Sequence, residues 1–119
     1  MTHSDSVQAP QELVMAIGEE CGYVFDFTKL LKSNETIAAD PAPTVTPSIT
    51  GVATIGAAAP NDATIAADLA AGIDVPIAEG KAVEVTLEGL QARRVKLTCT
   101  VVTDQGNTRK QHGWLLITA

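Results

Sequence analysis

Aromatic residues make up only 3% of this 119-residue chain, and they comprise one Trp, one Tyr and two Phe. Surfaces that stack bases or cradle sugars and cofactors are built on exposed rings, so this scarcity weighs against carbohydrate, nucleic-acid and cofactor binding. Basic residues are also few: 8 Lys and Arg against 14 Asp and Glu give a net charge of -6, where a nucleic-acid binder normally carries a basic footprint. With two cysteines, Cys21 and Cys99, the chain lacks the disulfide framework of a small secreted domain. Cys99 reads as a buried free thiol, with a Cys21–Cys99 bridge as the alternative. No apolar run approaches the roughly 18 residues that a membrane-spanning helix needs. The start, Met1-Thr2-His3-Ser4-Asp5, lacks the basic residues of a signal peptide. The expectation is a protein made and folded in a cytoplasm, with no membrane and no nucleic acid among its partners.

The residues of catalysis are equally sparse. The histidines are His3 and His112, and no His/Cys/Asp spacing suggests a zinc site. Ser4, Ser6, Ser33 and Ser48 sit in no nucleophile elbow, and glycines fall singly rather than in a phosphate-binding loop. Asp26 is the one acid inside a strongly apolar run, and a polar-face position or a bond to nearby amides accounts for it without chemistry. The reading is a protein that is not an enzyme and holds no cofactor or metal.

What the chain does have is strand periodicity. Val95, Leu97, Cys99 and Val101 share one parity of the run Arg94 to Val102, and Arg94, Lys96, Thr98 and Thr100 share the other. That is the pattern of a half-buried strand. A second run from Thr108 to Thr118 follows a turn at Asp104-Gln105-Gly106. A three-residue loop with Gly106 in the left-handed region pairs Val95 with Leu115 and Lys96 with Trp114, and it turns Trp114 outward. A two-residue turn reverses the faces and buries Trp114. Tyr23, Phe25 and Phe27 alternate in a strand at the centre of the expected core. Thr44 to Ile55, broken by Pro47 and Gly51, reads as two short strands, and Ala82 to Leu87 as another. Residues 61–72 fit either a short helix capped at Asn61 or Asp62, or a strand at Thr64-Ile65-Ala66 with a long loop. About seven short strands with Gly, Pro, Asn and Asp between them predict an all-β, immunoglobulin-like antiparallel β-sandwich. On this reading 1–18 is an extended N-terminal arm, with Gln11 to Ile17 as one helical turn or an edge strand, and 19–119 is the sandwich.

The basic residues cluster: Arg93, Arg94, Lys96, Arg109 and Lys110 lie in or beside the hairpin, while the acids lie mostly elsewhere. Such asymmetry steers an acidic partner, although a solvated outer face has the same appearance. Candidate interface residues are Trp114, Lys96, Arg93 and Arg94 on the hairpin, and Met15 and Val14 in the arm.

The run Val24-Phe25-Asp26-Phe27-Thr28-Lys29-Leu30-Leu31, then Glu35-Thr36-Ile37, and the ending Val95 to Val102 with its Thr103-Asp104-Gln105-Gly106 turn follow a recurrent order and spacing. Across about residues 22–118 the chain resembles the fibre-tail adaptor family of tailed bacteriophages. The family often has a Gly-Gly turn and a Tyr before the penultimate strand, where this chain has Leu87-Glu88-Gly89-Leu90. The resemblance implies an immunoglobulin-like virion protein, assembled in the host cytoplasm, that links fibres or spikes to a tail or neck ring. Its partners would be other virion proteins, met in several symmetric copies. A capsid decoration protein is the alternative that the same fold and arm allow.

Overall fold

The computed structural model describes residues 6–9, 12–68, 73 and 75–119. Nine strands are found among them: β1 (Ser6–Ala9), β2 (Glu12–Ala16), β3 (Glu20–Asp26), β4 (Thr44–Pro47), β5 (Ala53–Ile55), β6 (Ala59–Pro60), β7 (Ala82–Gly89), β8 (Arg94–Val102) and β9 (Thr108–Thr118). They form two sheets packed face to face. Sheet one has the order β1-β3-β7-β5 with β6 also on β7, and sheet two has the order β2-β9-β8-β4. The chain is an all-β sandwich, and its two strand orders are those of the immunoglobulin architecture. No helix of the described residues is long and apolar enough to cross a membrane.

The core lies between the sheets because alternate residues of each strand point inward. Tyr23, Phe25 and Phe27 are fully buried, as their alternation predicts, and the Tyr23 and Phe25 rings meet edge to face with centroids 5.0 Å apart. Leu97, Cys99, Leu115 and Ile117 close the core from sheet two. Cys21 and Cys99 are buried and no disulfide joins them, so the bridge alternative is not realised. Burial pushes the Cys99 thiol up to about 12.

The β8–β9 hairpin adopts the three-residue register. Val95 faces Leu115 and Lys96 faces Trp114. The Thr103 amide donates to Asn107 O at 2.8 Å, and Gly106 sits at φ 80°. That left-handed position is one that only glycine takes without strain.

One sequence expectation is corrected. The 1–18 segment is not an arm outside the sandwich over its described residues, because β1 pairs with β3 and β2 pairs with β9, both in parallel. Leu13 and Met15 are 1% and 2% exposed, and burial of these side chains holds β2 in place. Met15 is therefore a core residue and no interface candidate. The edge-strand alternative for Gln11 to Ile17 is the one realised, over Glu12–Ala16. A turn with Gly18 at φ 84°, in which the Glu19 amide donates to Ala16 O at 3.1 Å, carries the chain from sheet two to sheet one.

Of the two readings open for residues 61–72, the helix is not the one adopted over the described residues 61–68. Ile65 pairs with Ile77, and Asp68 with Ile73, as isolated antiparallel bridges. This excursion lies over the outer side of sheet one, where Ile73 and Ile77 pack with Val24 and Ala82 into a small second core. Asn61 anchors it. Its Nδ2 donates to Ala63 O and Ala78 O at 3.0 and 2.9 Å, and its Oδ1 accepts from the Ala82 amide at 3.0 Å. A buried amide side chain with both ends satisfied avoids the desolvation penalty of an unpaired one. The rest of the 61–72 stretch, residues 69–72, falls outside the described residues.

Candidate functional site

Parity sends Arg94, Lys96, Thr98 and Thr100 of β8, and Lys110, His112, Trp114 and Leu116 of β9, to the outer face of sheet two. Parallel pairing of β2 adds Glu12 opposite Trp114 and Val14 opposite Leu116. Glu12, Trp114 and Lys96 thus form one row across three strands, and Val14, Leu116 and Arg94 form the next. Arg94 reaches diagonally between the rows. Its guanidinium carbon lies 4.1 Å from the Trp114 ring centroid, and its Nε donates to Glu12 Oε2 at 2.6 Å. Each contact is modest at a wet surface, about 0.5–1 kcal/mol for cation–π attraction and about 0–1 for the ion pair. Together they fix the indole in one orientation while leaving it partly open to solvent. Fixing a side chain before contact lowers the entropy cost of binding through it.

Five of the interface candidates are therefore gathered on or beside one face. Trp114, Lys96 and Arg94 are neighbours, and Arg93 is exposed at the start of β8, where its carbonyl accepts from the Ile117 amide at 2.9 Å. Val14 joins them from β2, 50% exposed. Thr98 Oγ1 and His112 Nδ1 are hydrogen-bonded at 3.1 Å further along the same face. Sequence reasoning missed Glu12. Its carboxylate belongs to a segment read as an arm, and only the parallel pairing of β2 with β9 brings it to Trp114.

The loop after β3 and the β8–β9 turn meet at one end of the sandwich. Glu35 is fully buried there. Its Oε2 accepts from Thr103 Oγ1 at 2.6 Å and from Asn107 Nδ2 at 2.7 Å, and its Oε1 accepts from the Lys32 amide at 3.1 Å. Arg109 lies 3.7 Å from Oε1. The Thr103 and Asn107 donors, then the Lys32 amide and the Arg109 charge, outweigh desolvation and hold the carboxyl at about 2. Next to it, the Thr36 amide donates to Asp104 Oδ1 at 3.0 Å, and the Asp104 amide to Thr36 O at 2.9 Å. The Lys81 ammonium donates to the carbonyls of Lys32, Ser33 and Glu35. Glu35-Thr36-Ile37 and Thr103 to Asn107, far apart in sequence, are thus one hydrogen-bonded brace.

Asp26 takes the bland role. Its Oδ1 accepts from the Thr28 amide at 2.9 Å and from Thr28 Oγ1 at 2.6 Å, an Asx turn that ends β3. Among the described residues no group of three or more His, Cys, Asp or Glu is placed to hold a metal ion. On the sheet-two face the half-buried Trp114 indole thus lies against Arg94, with Lys96 opposite it in the β8–β9 ladder.

No family model and no curated protein matches the chain. The solved solution structure of amebosin is similar to it over 95% of this chain and 96% of that one, with a TM-score of 0.50 and 9% sequence identity, a likeness of fold alone.

Proposed function

We propose that the chain is a structural protein of a tailed-phage particle, an adaptor that attaches fibres or spikes to the tail or neck through protein–protein contacts made by the outer face of sheet two. The observation that carries the contact role is Trp114, held partly exposed against Arg94 on a cationic sheet face. Tryptophan and arginine dominate the energetics of protein interfaces, and a rigid strand lattice presents them without reorganisation. Support for the virion role comes from the brace. The segments on which the resemblance to the adaptor family rests, Glu35-Thr36-Ile37 and the Thr103 to Gly106 turn, bind one another through Glu35–Thr103 and Thr36–Asp104. They act as one unit that stiffens the end of the sandwich.

The test is localisation. Particles produced from the phage genome that encodes this chain, carrying a C-terminal epitope on it, are purified and imaged with a labelled antibody. Label at the neck or tail end, in a small ring-like number of copies, is the expected result. Label spread over the shell in hundreds of copies replaces the adaptor role with capsid decoration, and absence of the chain from purified particles refutes both. Trp114→Ala is expected to lower incorporation while leaving the thermal midpoint close to that of the wild type.

A further inference from the structure

The two outer faces of the sandwich are opposite in charge. On sheet two, Arg94, Lys96 and Lys110 stand against one carboxylate, Glu12. Among the described residues, Lys96 and Lys110 have no acidic partner. On sheet one, parity sends Glu20, Glu84 and Glu88 outward, and no described ladder residue of that face is basic. Glu20 and Glu88 lie directly opposite each other in the β3–β7 ladder. Like charges in that relation destabilise a sheet, so the pair contributes nothing to the isolated fold.

The outer face of sheet one is also recessed. Between the carboxylates of sheet one runs a row of small residues, Gly22, Thr86 and Gly56. A Cβ at Gly56 would lie 3.1 Å from Thr86 O, so the floor of this trough stays low only with glycine there. Two shallow recesses line it, about 170 Å³ beside Glu84 and about 290 Å³ beside Glu20 and Glu88. Both fall below the roughly 300–1,000 Å³ of small-molecule sites, and they suit a side chain. Sheet two presents a half-buried aromatic, the Trp114 indole, with Arg94 over its ring and Lys96 opposite it in the ladder.

We propose that the sheet-two face docks on the sheet-one face of a second copy of this chain, with Trp114 over the Gly22–Thr86–Gly56 trough and Arg94 and Lys96 against Glu20, Glu88 and Glu84. The contact joins two different patches, so each copy retains one free face of each kind and further copies add head to tail, giving a ring or an open run. This rests on the reading of the sheet-two face as a contact surface, and not on the virion role. Attraction between oppositely charged faces speeds encounter and weakens as salt rises.

The experiment is sedimentation velocity of the full chain over a range of concentrations at low and high salt. Association that grows with concentration and falls with salt is expected. Glu20→Lys/Glu88→Lys and Arg94→Glu/Lys96→Glu each weaken it roughly tenfold or more while the thermal midpoint shows a folded chain. Mixing the two variants restores association, because one contributes an intact basic face and the other an intact acidic face. Trp114→Ala weakens association without altering net charge. A wild-type chain that stays monomeric at the highest concentration in low salt overturns the proposal. So does association indifferent to both charge reversals, or a mixture no more associated than its parts. If the wild type is monomeric and Trp114→Ala is still lost from particles, the self-contact alone fails. If the chain associates but is absent from particles, the virion role alone fails.

Discussion

The Tyr23 hydroxyl sits directly under the backbone of Gly113. The Trp114 amide donates to it at 3.2 Å, and a Cβ on residue 113 would lie 2.5 Å from the same oxygen and 2.6 Å from Tyr23 Cε2. A core tyrosine of sheet one thus fixes both the identity of residue 113 and the path of β9 just before the Trp114 anchor. Gly113→Ala is expected to destabilise the fold by about 1–3 kcal/mol, the range for overpacking a filled core, as read from urea denaturation. Tyr23→Phe in the Gly113→Ala background recovers only part of the loss, because the ring carbons as well as the hydroxyl occupy the space.

Glu35 sets the acid limit of stability. Its carboxyl is held at about 2 against an ordinary 4.5, first by the Thr103 hydroxyl and then by the Asn107 amide. A depressed carboxyl contributes stability that is fully present above 4.5 and is lost as pH falls through 2. The denaturant midpoint should therefore fall from pH 4.5 toward pH 2. Glu35→Gln lowers the midpoint at neutral pH and flattens that limb, and Thr103→Val does the same more weakly. An acid limb unchanged in Glu35→Gln would remove this role.

The hairpin was legible in the sequence and the brace was not, for one physical reason. Val95 to Val101 alternate with polar residues and mark β8, whereas Leu115-Leu116-Ile117 of β9 is uniformly apolar; pattern alone admits both the three-residue and the two-residue turn, and Gly106 at φ 80° belongs to the first. Glu35 reads as a turn residue, and its partners Thr103 and Asn107 lie 68 and 72 positions away. Leu13-Val14-Met15 is uniformly apolar, with no period to reveal that Leu13 and Met15 face the core while Val14 faces out. The excursion over 61–78 is held by single bridges and the Asn61 side chain, and neither leaves a periodic trace.

Alkaline pH should act through two buried groups. Burial pushes Tyr23 from 10.0 to about 12, with the Trp114 amide opposing and the Glu12 charge adding slightly, and it pushes Cys99 from 9.0 to about 12. Raised acids contribute stability fully present below their unfolded values and lost as pH rises through the folded ones. The denaturant midpoint should fall progressively from pH 9 to 12, and Tyr23→Phe should reduce the slope above pH 10. In the native state at neutral pH, a water-soluble disulfide reagent should leave both thiols unmodified, since Cys21 and Cys99 are buried. In denaturant both should react. Rapid labelling of the native chain would show that the β3 and β8 core opens without global unfolding.

Glu20 and Glu88 separate the demands of folding from those of contact. They face each other across β3 and β7 with Thr54 of β5 beyond Glu88, and no cation is placed between them in the ladder. Glu20→Lys replaces a repulsive cross-strand pair with an attractive one and should stabilise the isolated chain by about 0.2–1 kcal/mol, seen as a higher thermal midpoint. The same substitution removes a carboxylate from the trough that receives Trp114, so it should weaken head-to-tail association. A single change that raises the thermal midpoint and lowers self-association would mean that the carboxylates of this face serve contact at the expense of the fold. A fall in thermal midpoint would mean that the Glu20–Glu88 repulsion is already relieved by solvent, and the opposition of these two charges would then carry no weight in the argument for the stacked contact.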